Sequence, residues 1–346
     1  MTTVTFGRWI GMVAAAGRSF RDRPRDALLL GAEITVRQVY YRWRGLNQWN
    51  HSRRQPPPAP QVCSREKLRE RLAEIGVGNE GLVMVHSSVR GMRLTNADGA
   101  DGMADNPLSV SACLFEDLEQ LVGATGTLVM PTRPLFKNEP VPMDPARVRT
   151  VFRYDPARTP CRVGLVNELF RRSPRSRRSL HPINTLSCSG PLSDELLKDN
   201  LNHQKPLPHG LNSGYHRICD FGGRVVSLGV PLWKYLTIMH VGEDVRDESW
   251  PVRNFFVERT FAIRQGDSWQ NWTVRQRRWE FQRCLCLSKL HRDLLREGIL
   301  HEGKVGSIRI DWANAREIRD FLMTRNTDRP YPYYCTWAAG PIDGAA

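Results

Sequence analysis

From residue 64 onward, short apolar runs of strand length alternate with stretches of helical spacing, and that alternation commits the chain to an α/β architecture. Ser64 is a good N-cap for a helix whose Leu68, Leu72 and Ile75 share one face, and Gly76 stops it. Leu82 to Val85 reads as a short buried strand. Helical spacing over 107–122 precedes a second strand, Gly126 to Pro131, which the proline closes. A helix from Val163 to Arg172 ends at Pro174, and a short helix precedes Gly222-Gly223 and a third strand, Arg224 to Leu228. Further along, the pattern predicts a helix over 233–246 and a hairpin whose arms, Phe255 to Arg264 and Trp269 to Arg275, flank Gly266-Asp267. It then predicts a helix over 279–296, a strand over 305–310 and a helix over 313–324. We read one domain over 63–346, built around a mixed sheet, with no internal repeat.

Residues 1–62 read as a separate extension. The run Gln55 to Gln61 (QPPPAPQ) cannot continue a helix and favours polyproline II, so it marks a linker. Ahead of it, residues 1–60 hold ten arginines, no lysine and three acids, interleaved with apolar stretches and Tyr40, Tyr41, Trp43 and Trp49. Such a mixture suits a helix lying peripherally in an anionic membrane interface through residues 1–54. The alternative is a helical arm packed on its own body or on a second subunit of a homodimer. A second basic cluster, residues 151–180, holds eight arginines against Asp155 and Glu168. The chain's net charge of +14 is therefore local, which points to specific anionic contacts.

Hydrophobic residues at 40% and charged residues at 25% exclude whole-chain disorder and a multi-span membrane protein. No run reaches the ~20 apolar residues a spanning helix needs. The eight cysteines include no C-x-x-C pair, so the reading is reduced thiols in a cytoplasmic protein without a metal site. The Asn271-Trp272-Thr273 sequon is then fortuitous.

Several motifs fail on context. Gly76-Val77-Gly78-Asn79-Glu80-Gly81 has the spacing of a dinucleotide loop, but it follows a helix and precedes a strand, the reverse of what such a site needs. Cys284 and Cys286, two apart in a helical stretch, point to different faces. There is no P-loop and no G-x-S-x-G.

More productive segments sit where strands end. His86-Ser87-Ser88-Val89-Arg90-Gly91 presents hydroxyls, backbone N–H groups and a guanidinium together, at the end of a strand where α/β proteins bind phosphate-bearing ligands. Pro182 disfavours helical geometry at His181, and a histidine held there can act as a base near neutral pH. Thr237, His240 and Glu243 fall at i, i+3 and i+6, so a carboxylate can reach a histidine and fix its tautomer.

In order along 63–325, these segments resemble the aminoglycoside 3-N-acetyltransferase family, the acetyl-CoA-dependent group distinct from the GNAT fold. The resemblance is carried by His86-Ser87-Ser88, Gly126-Thr127-Leu128-Val129-Met130-Pro131 and Tyr154-Asp155-Pro156 with Thr159-Pro160. It continues through Arg178-Ser179-Leu180-His181-Pro182, His203, Gly210-x-x-Ser213, Gly222-Gly223-Arg224-Val225 and Thr237-x-x-His240-x-x-Glu243. It implies a three-layer α/β/α fold with a central mixed sheet, and acetyl transfer from acetyl-CoA to the amine of a small molecule. It further implies a base at His181 with Glu243 and His240 as catalytic partners, and acyl-CoA contacts from His86, Ser87, Ser88, Val89, Arg90 and Thr127. Thr237, Ser213 and Asp155 would meet the acceptor. Thr185 stands where the family has Ser, and Gly214 replaces a proline after Ser213.

The chemistry needs an unprotonated nitrogen, stabilised charge at the thioester oxygen and a route for CoA thiolate to leave. His181 supplies the base, and the backbone N–H groups of Ser87 to Val89 the oxyanion contact. Direct transfer in a ternary complex is expected, with Cys188 the only candidate for an acyl carrier. The basic cluster beside His181 favours an amino sugar on a nucleotide or lipid diphosphate over a polycationic aminoglycoside. The competing class is a non-catalytic basic protein that binds anionic ligands or nucleic acid. It finds no nucleic-acid module here.

Overall fold

The computed structural model describes residues 61–78, 81–95, 105–136, 151–204, 207–232, 236–244, 255–278, 281, 285–328 and 331–334. The expectations for residues 1–60, including the membrane and subunit contacts, lie outside the described residues.

Twelve strands are described: β1 (Gln61–Ser64), β2 (Leu82–Ser87), β3 (Met92–Thr95), β4 (Thr127–Pro131), β5 (Phe152–Tyr154), β6 (Arg177–Arg178), β7 (Leu186–Ser189), β8 (Arg224–Leu228), β9 (Phe256–Gln265), β10 (Ser268–Arg277), β11 (Leu300–Val305) and β12 (Ile308–Asn314). The helices are α1 (Arg65–Glu74), α2 (Pro107–Val122), α3 (Leu165–Arg172), α4 (Ser193–Leu197), α5 (Gly214–Asp220), α6 (Val241–Asp244), α7 (Leu287–Arg296) and α8 (Ala315–Arg325). A 3-10 turn, Thr237–His240, leads directly into α6.

Seven strands form the central sheet in the order β11-β12-β8-β2-β4-β7-β6. β2 runs parallel to β4 and β8, while the remaining neighbours pair antiparallel, so the sheet is mixed. The period of two along each strand divides the core. Val83, Val85, Leu128, Met130, Val226 and Ile310 face one side, where Leu68 and Leu72 of α1, Leu114 and Leu118 of α2 and Phe170 of α3 cover them. Met84, Val129, Cys188, Val225 and Ala313 face the other, under Ile218 of α5, Leu290 and Leu294 of α7 and Ile318 and Leu322 of α8. Each such side chain contributes roughly 1.5–3 kcal/mol by leaving water, and neither face is complete without its helices. The result is the three-layer α/β/α arrangement. A smaller sheet, β10-β9-β5, closes a separate core of Phe152, Tyr154, Phe261, Ile263 and Val274.

Local chemistry sets the helix starts. Ser64 Oγ accepts from Lys67 N at 3.5 Å, and Asn106 Oδ1 accepts from the N–H groups of Leu108 and Ser109 with Pro107 at the first helical position. Gly76, at φ +88°, ends α1, so the G-x-G-x-x-G spacing is a helix cap and turn.

Three expectations are corrected. The strand expected over 305–310 is a hairpin, β11 and β12, turning at Gly306, whose φ of +56° suits glycine. The helix expected over 233–246 is, where described, the 3-10 turn followed by α6; 233–235 and 245–246 lie outside the described residues. The helix expected over 279–296 is interrupted: Phe281 is helical, Leu285 bridges to Tyr334 and α7 runs from Leu287, while 279–280 and 282–284 lie outside the described residues. Among the described residues, no helix is long and apolar enough to cross a membrane, and no group of three or more His, Cys, Asp or Glu is placed to hold a metal ion.

Candidate active site

The parallel pairing of β2 with β4 and β8 brings three strand ends to one edge of the sheet: Ser87, Pro131 and Leu228. β7 runs antiparallel to β4, so the loop that feeds β7, residues 179–185, arrives at this same edge. The segment 237–243 follows β8 from it. His86, His181 and the His240–Glu243 pair thus come to one edge from segments spread over residues 86–243.

The His181 loop is held by side chains on every flank. Tyr154 donates its hydroxyl to the Ser179 carbonyl at 2.7 Å, and Ser179 N donates to Leu186 O at 2.9 Å. Thr185, buried, donates its hydroxyl to the carbonyl of Thr132 at 2.6 Å, which shows how a threonine serves at that position. Arg178 spans the loop from beneath, donating to the carbonyls of Thr159 and Thr132. Burial lowers the pKa of its guanidinium below its ordinary 12.5. Within this frame His181 is 4% exposed, with Nδ1 3.2 Å from both the N–H and the carbonyl oxygen of Ile183. Asn184 then adopts φ +49° and places its amide nitrogen 3.3 Å from Nε2 of His209.

His209 connects this loop to the second half of the site. Its ring packs against Tyr215 and against His240, with centroids 4.6 and 5.1 Å away. His240 Nδ1 lies 2.8 Å from Glu243 Oε1, the contact that the i, i+3 spacing predicts. Arg277, from the end of β10, approaches Glu243 Oε1 at 3.5 Å, and the Tyr334 hydroxyl donates to the same oxygen. Burial alone would raise the Glu243 pKa. The charge that His240 carries when protonated in the acid range, and that of Arg277, with hydrogen bonds from His240 and Tyr334, overcome that and hold it at about 2. Burial, reinforced by the Arg277 charge and opposed by Glu243, lowers the pKa of His240, so the ring stands neutral beside an ionised carboxylate.

The other expected residues are placed as follows. His86 lies at the end of β2, next to Ser87, and is 6% exposed; its Nε2 meets no hydrogen-bonding partner among the described residues, and burial brings its pKa down to about 4. Ser87 shares its strand end, Val89 is buried behind it, and Arg90 is exposed. Ser88 N donates to Leu228 O at 2.9 Å, so this N–H is committed to the sheet and does not serve an oxyanion. Thr127 pairs with Leu82 at the opposite edge of the sheet from His86, and its hydroxyl accepts from Leu192 N at 3.1 Å. It is not brought to the site. Ser213 Oγ accepts from His216 N at 3.1 Å and caps α5. Asp155 Oδ1 accepts from the N–H groups of Ala157 and Arg158, while Oδ2 faces Arg264 at 3.3 Å; both line a cavity of about 540 Å³ that also includes Leu180, next to His181. The Thr237 hydroxyl is enclosed without a hydrogen bond among the described residues. Cys188 lies in the sheet core, and burial raises its thiol pKa well above the ordinary value, which removes it as an acyl carrier.

Sequence reasoning missed His209, Asn184, Arg277 and Tyr334. The basic cluster is partly taken up by internal contacts. Arg171 pairs with Glu168 and donates to Ala157 O, Arg172 pairs with Glu168, Arg177 with Asp194, and Arg178 holds backbone carbonyls. Arg171 and Arg178 are therefore engaged inside the fold, while Arg172 and Arg177 form exposed pairs at the surface.

The sequence profile of the aminoglycoside 3-N-acetyltransferase family matches residues 84–326. Aminoglycoside N(3)-acetyltransferase IV of Salmonella sp is 32% identical over 169 residues, 48% of this chain and 53% of that protein. Aminoglycoside N(3)-acetyltransferase VII of Streptomyces paromomycinus is 30% identical over 192 residues, 53% of this chain and 61% of that protein. The chain thus spans about half to three fifths of the length of the curated relatives it matches. Among solved structures, AAC-IIIb in a binary complex with CoASH superposes with a TM-score of 0.60 at 21% identity, over 76% of this chain and 96% of that one. Aminoglycoside acetyltransferase AAC(3)-IVa, as a mutant in complex with a gentamicin, gives 0.56 at 25% identity, over 76% and 88%.

Proposed function

The chain belongs to the aminoglycoside 3-N-acetyltransferase family, and from that premise we propose that it transfers the acetyl group of acetyl-CoA to an amine of an aminoglycoside-like amino sugar. The carrying observation is the assembly of His181, His209 and the His240–Glu243 pair at one edge of the sheet, beside the end of β2. A structural neighbour bound to CoASH and another bound to gentamicin supply the two substrate classes.

His181 acts as the base. When Nδ1 carries the proton and donates to Ile183 O, Nε2 is the basic atom. It takes a proton from the attacking amine as the N–C bond forms at the thioester carbonyl. The C–S bond then breaks, and the proton passes from the imidazolium to the departing CoA thiolate. Positioned base catalysis of this kind contributes roughly 10²–10⁴-fold. Direct transfer in a ternary complex needs no acyl-enzyme. The ionised Glu243, paired with Arg277, holds His240 by its Nδ1–H and leaves Nε2 as an accepting atom on the acceptor side. The contrary reading, an amino sugar on a diphosphate carrier, rested on the basic cluster, of which Arg171 and Arg178 are taken up by internal contacts.

The test is CoA thiol release from acetyl-CoA against aminoglycosides, free amino sugars and nucleotide amino sugars. Turnover with aminoglycosides, reduced by roughly 10²–10⁴-fold in His181→Ala, is the expected result. Near-normal turnover in the variant removes the base; a preference for nucleotide amino sugars moves the acceptor class.

A further inference from the structure

Two groups complete the His240–Glu243 pair, and one of them, Tyr334, lies beyond the 84–326 segment that matches the family. It comes from the segment Tyr331-Pro332-Tyr333-Tyr334, whose three tyrosines are all buried. Cys286 N donates to Tyr333 O at 2.8 Å, the Tyr333 hydroxyl donates to Asp293 Oδ2 at 3.0 Å, and Leu285 bridges to Tyr334 itself. The Tyr334 ring stands edge-on to Phe255, centroids 5.3 Å apart, so its hydroxyl is aimed by packing. That hydroxyl donates to Glu243 Oε1 and accepts from Arg277 Nη1.

The geometry at His240 explains what this does. Nδ1 is 2.8 Å from Glu243 Oε1, so it carries the proton and donates. Arg277 Nη1 is also only 3.2 Å from Nδ1, and two donors this close oppose one another unless the arginine's protons point elsewhere. Tyr334 and Glu243 provide that elsewhere. Without the tyrosine hydroxyl, Glu243 loses a donor and can turn to Arg277 and away from Nδ1; Arg277 can then donate to Nδ1 while the His240 proton moves to Nε2. Glu243 is faced by His240, Arg277, Tyr334 and Tyr331; His240 by Glu243, Arg277 and His209; Tyr334 by Arg277, Glu243 and Tyr331. Burial raises the Tyr334 phenol far above its ordinary 10, so it remains a donor across the neutral range.

We propose that Tyr334 is a positioning residue for acetyl transfer, keeping Arg277 off Nδ1 of His240 so that the ring holds its Nδ1–H tautomer with Nε2 as the accepting nitrogen. This rests on the reading that the His240–Glu243 pair works at the acceptor amine.

The experiment compares the full chain with Tyr334→Phe, which keeps the ring and removes one oxygen. ¹⁵N signals of labelled histidine report the His240 tautomer without any turnover, and kcat and KM are followed against pH. Wild type should show Nδ1–H alone and Tyr334→Phe a mixture, with kcat/KM for the acceptor down roughly tenfold, the size of one lost hydrogen bond to a charged group, and KM for acetyl-CoA within about twofold. If Tyr334→Phe does not fold, Arg277→Lys, which keeps the charge but loses the planar fork, is read the same way. An unchanged tautomer overturns the proposal, as does a changed tautomer with unchanged kcat/KM and pH profile. Full turnover in His181→Ala with a shifted tautomer in Tyr334→Phe would instead fault the assigned base and leave this role standing. A wild type inactive with every amine removes both.

Discussion

His209 lies against His240, ring centroids 5.1 Å apart and planes at 52°. A proton on His209 therefore sets a second cation beside a ring whose pKa is already lowered by burial and by Arg277, against the pull of Glu243. Replacing His209 with Phe keeps most of the packing and removes that charge. The His240 pKa should rise, and the acid limb of kcat/KM, which needs neutral His240, should move to higher pH. An NMR titration of His240 in both proteins checks this; superimposable curves would reduce His209 to packing.

Glu243 links the site to stability. Its folded pKa, about 2, lies below the ordinary 4.5. It therefore contributes stability that is fully present above about pH 4.5 and lost as pH falls toward 2. Glu243→Gln should destabilise the fold at pH 7 by roughly 3–5 kcal/mol, because Arg277 loses its buried partner. The gap to wild type should narrow on acidification. Urea unfolding at pH 7, 4.5 and 3 measures it, and a gap independent of pH would contradict the assignment.

His86 predicts a different window. Burial lowers its pKa from 6.5 to about 4, so the unfolded chain binds the proton more readily between those values. Stability should fall as pH drops from 6.5 to 4 and then level, by an amount on the order of 3 kcal/mol. In His86→Gln this share of the loss should vanish, while the share from His240 and the Glu243 window below it persist. Unfolding free energies at pH 7 and 4.5 for both chains decide the matter.

What the sequence made legible was local. The cap at Ser64, the apolar run at 82–85 and the hairpin turn at Gly266 are each decided within a few residues. So is the His240–Glu243 contact. Arg277 and Tyr334 reach Glu243 across 34 and 91 positions, and no spacing rule connects them. β7 escaped notice because Ser187 and Ser189 interrupt its apolar run, although Ser187 is buried against Thr132. Charge counting failed at Arg178 for a related reason. A buried guanidinium can be satisfied by backbone carbonyls, which carry no sequence signature. Thr127 was grouped with His86 through the family resemblance, whereas strand direction puts the two at opposite edges.

Ser213 and Gly214 allow a structural role to be separated from a binding one. Ser213 Oγ caps α5, so Ser213→Ala should cost about 1 kcal/mol of stability and leave acceptor KM within about twofold. Next to it, a Cβ on Gly214 would stand 2.9 Å from Leu186 Cδ1 and 2.9 Å from the Leu196 carbonyl oxygen. The carbonyl belongs to α4 and cannot move aside as a side-chain end can. Gly214→Ala should therefore lose roughly 1–3 kcal/mol. Gly214→Pro, which installs the residue the family carries there, should lose more, because its backbone suits a first helical position but its ring adds two carbons to the same contact. Leu186 opens β7 immediately after the His181 loop, so pressure on it is transmitted to Thr185 and Asn184. Thermal unfolding with KM for both substrates checks the pair. A tenfold rise in acceptor KM in Ser213→Ala at unchanged stability would place that hydroxyl against the acceptor and not in the cap.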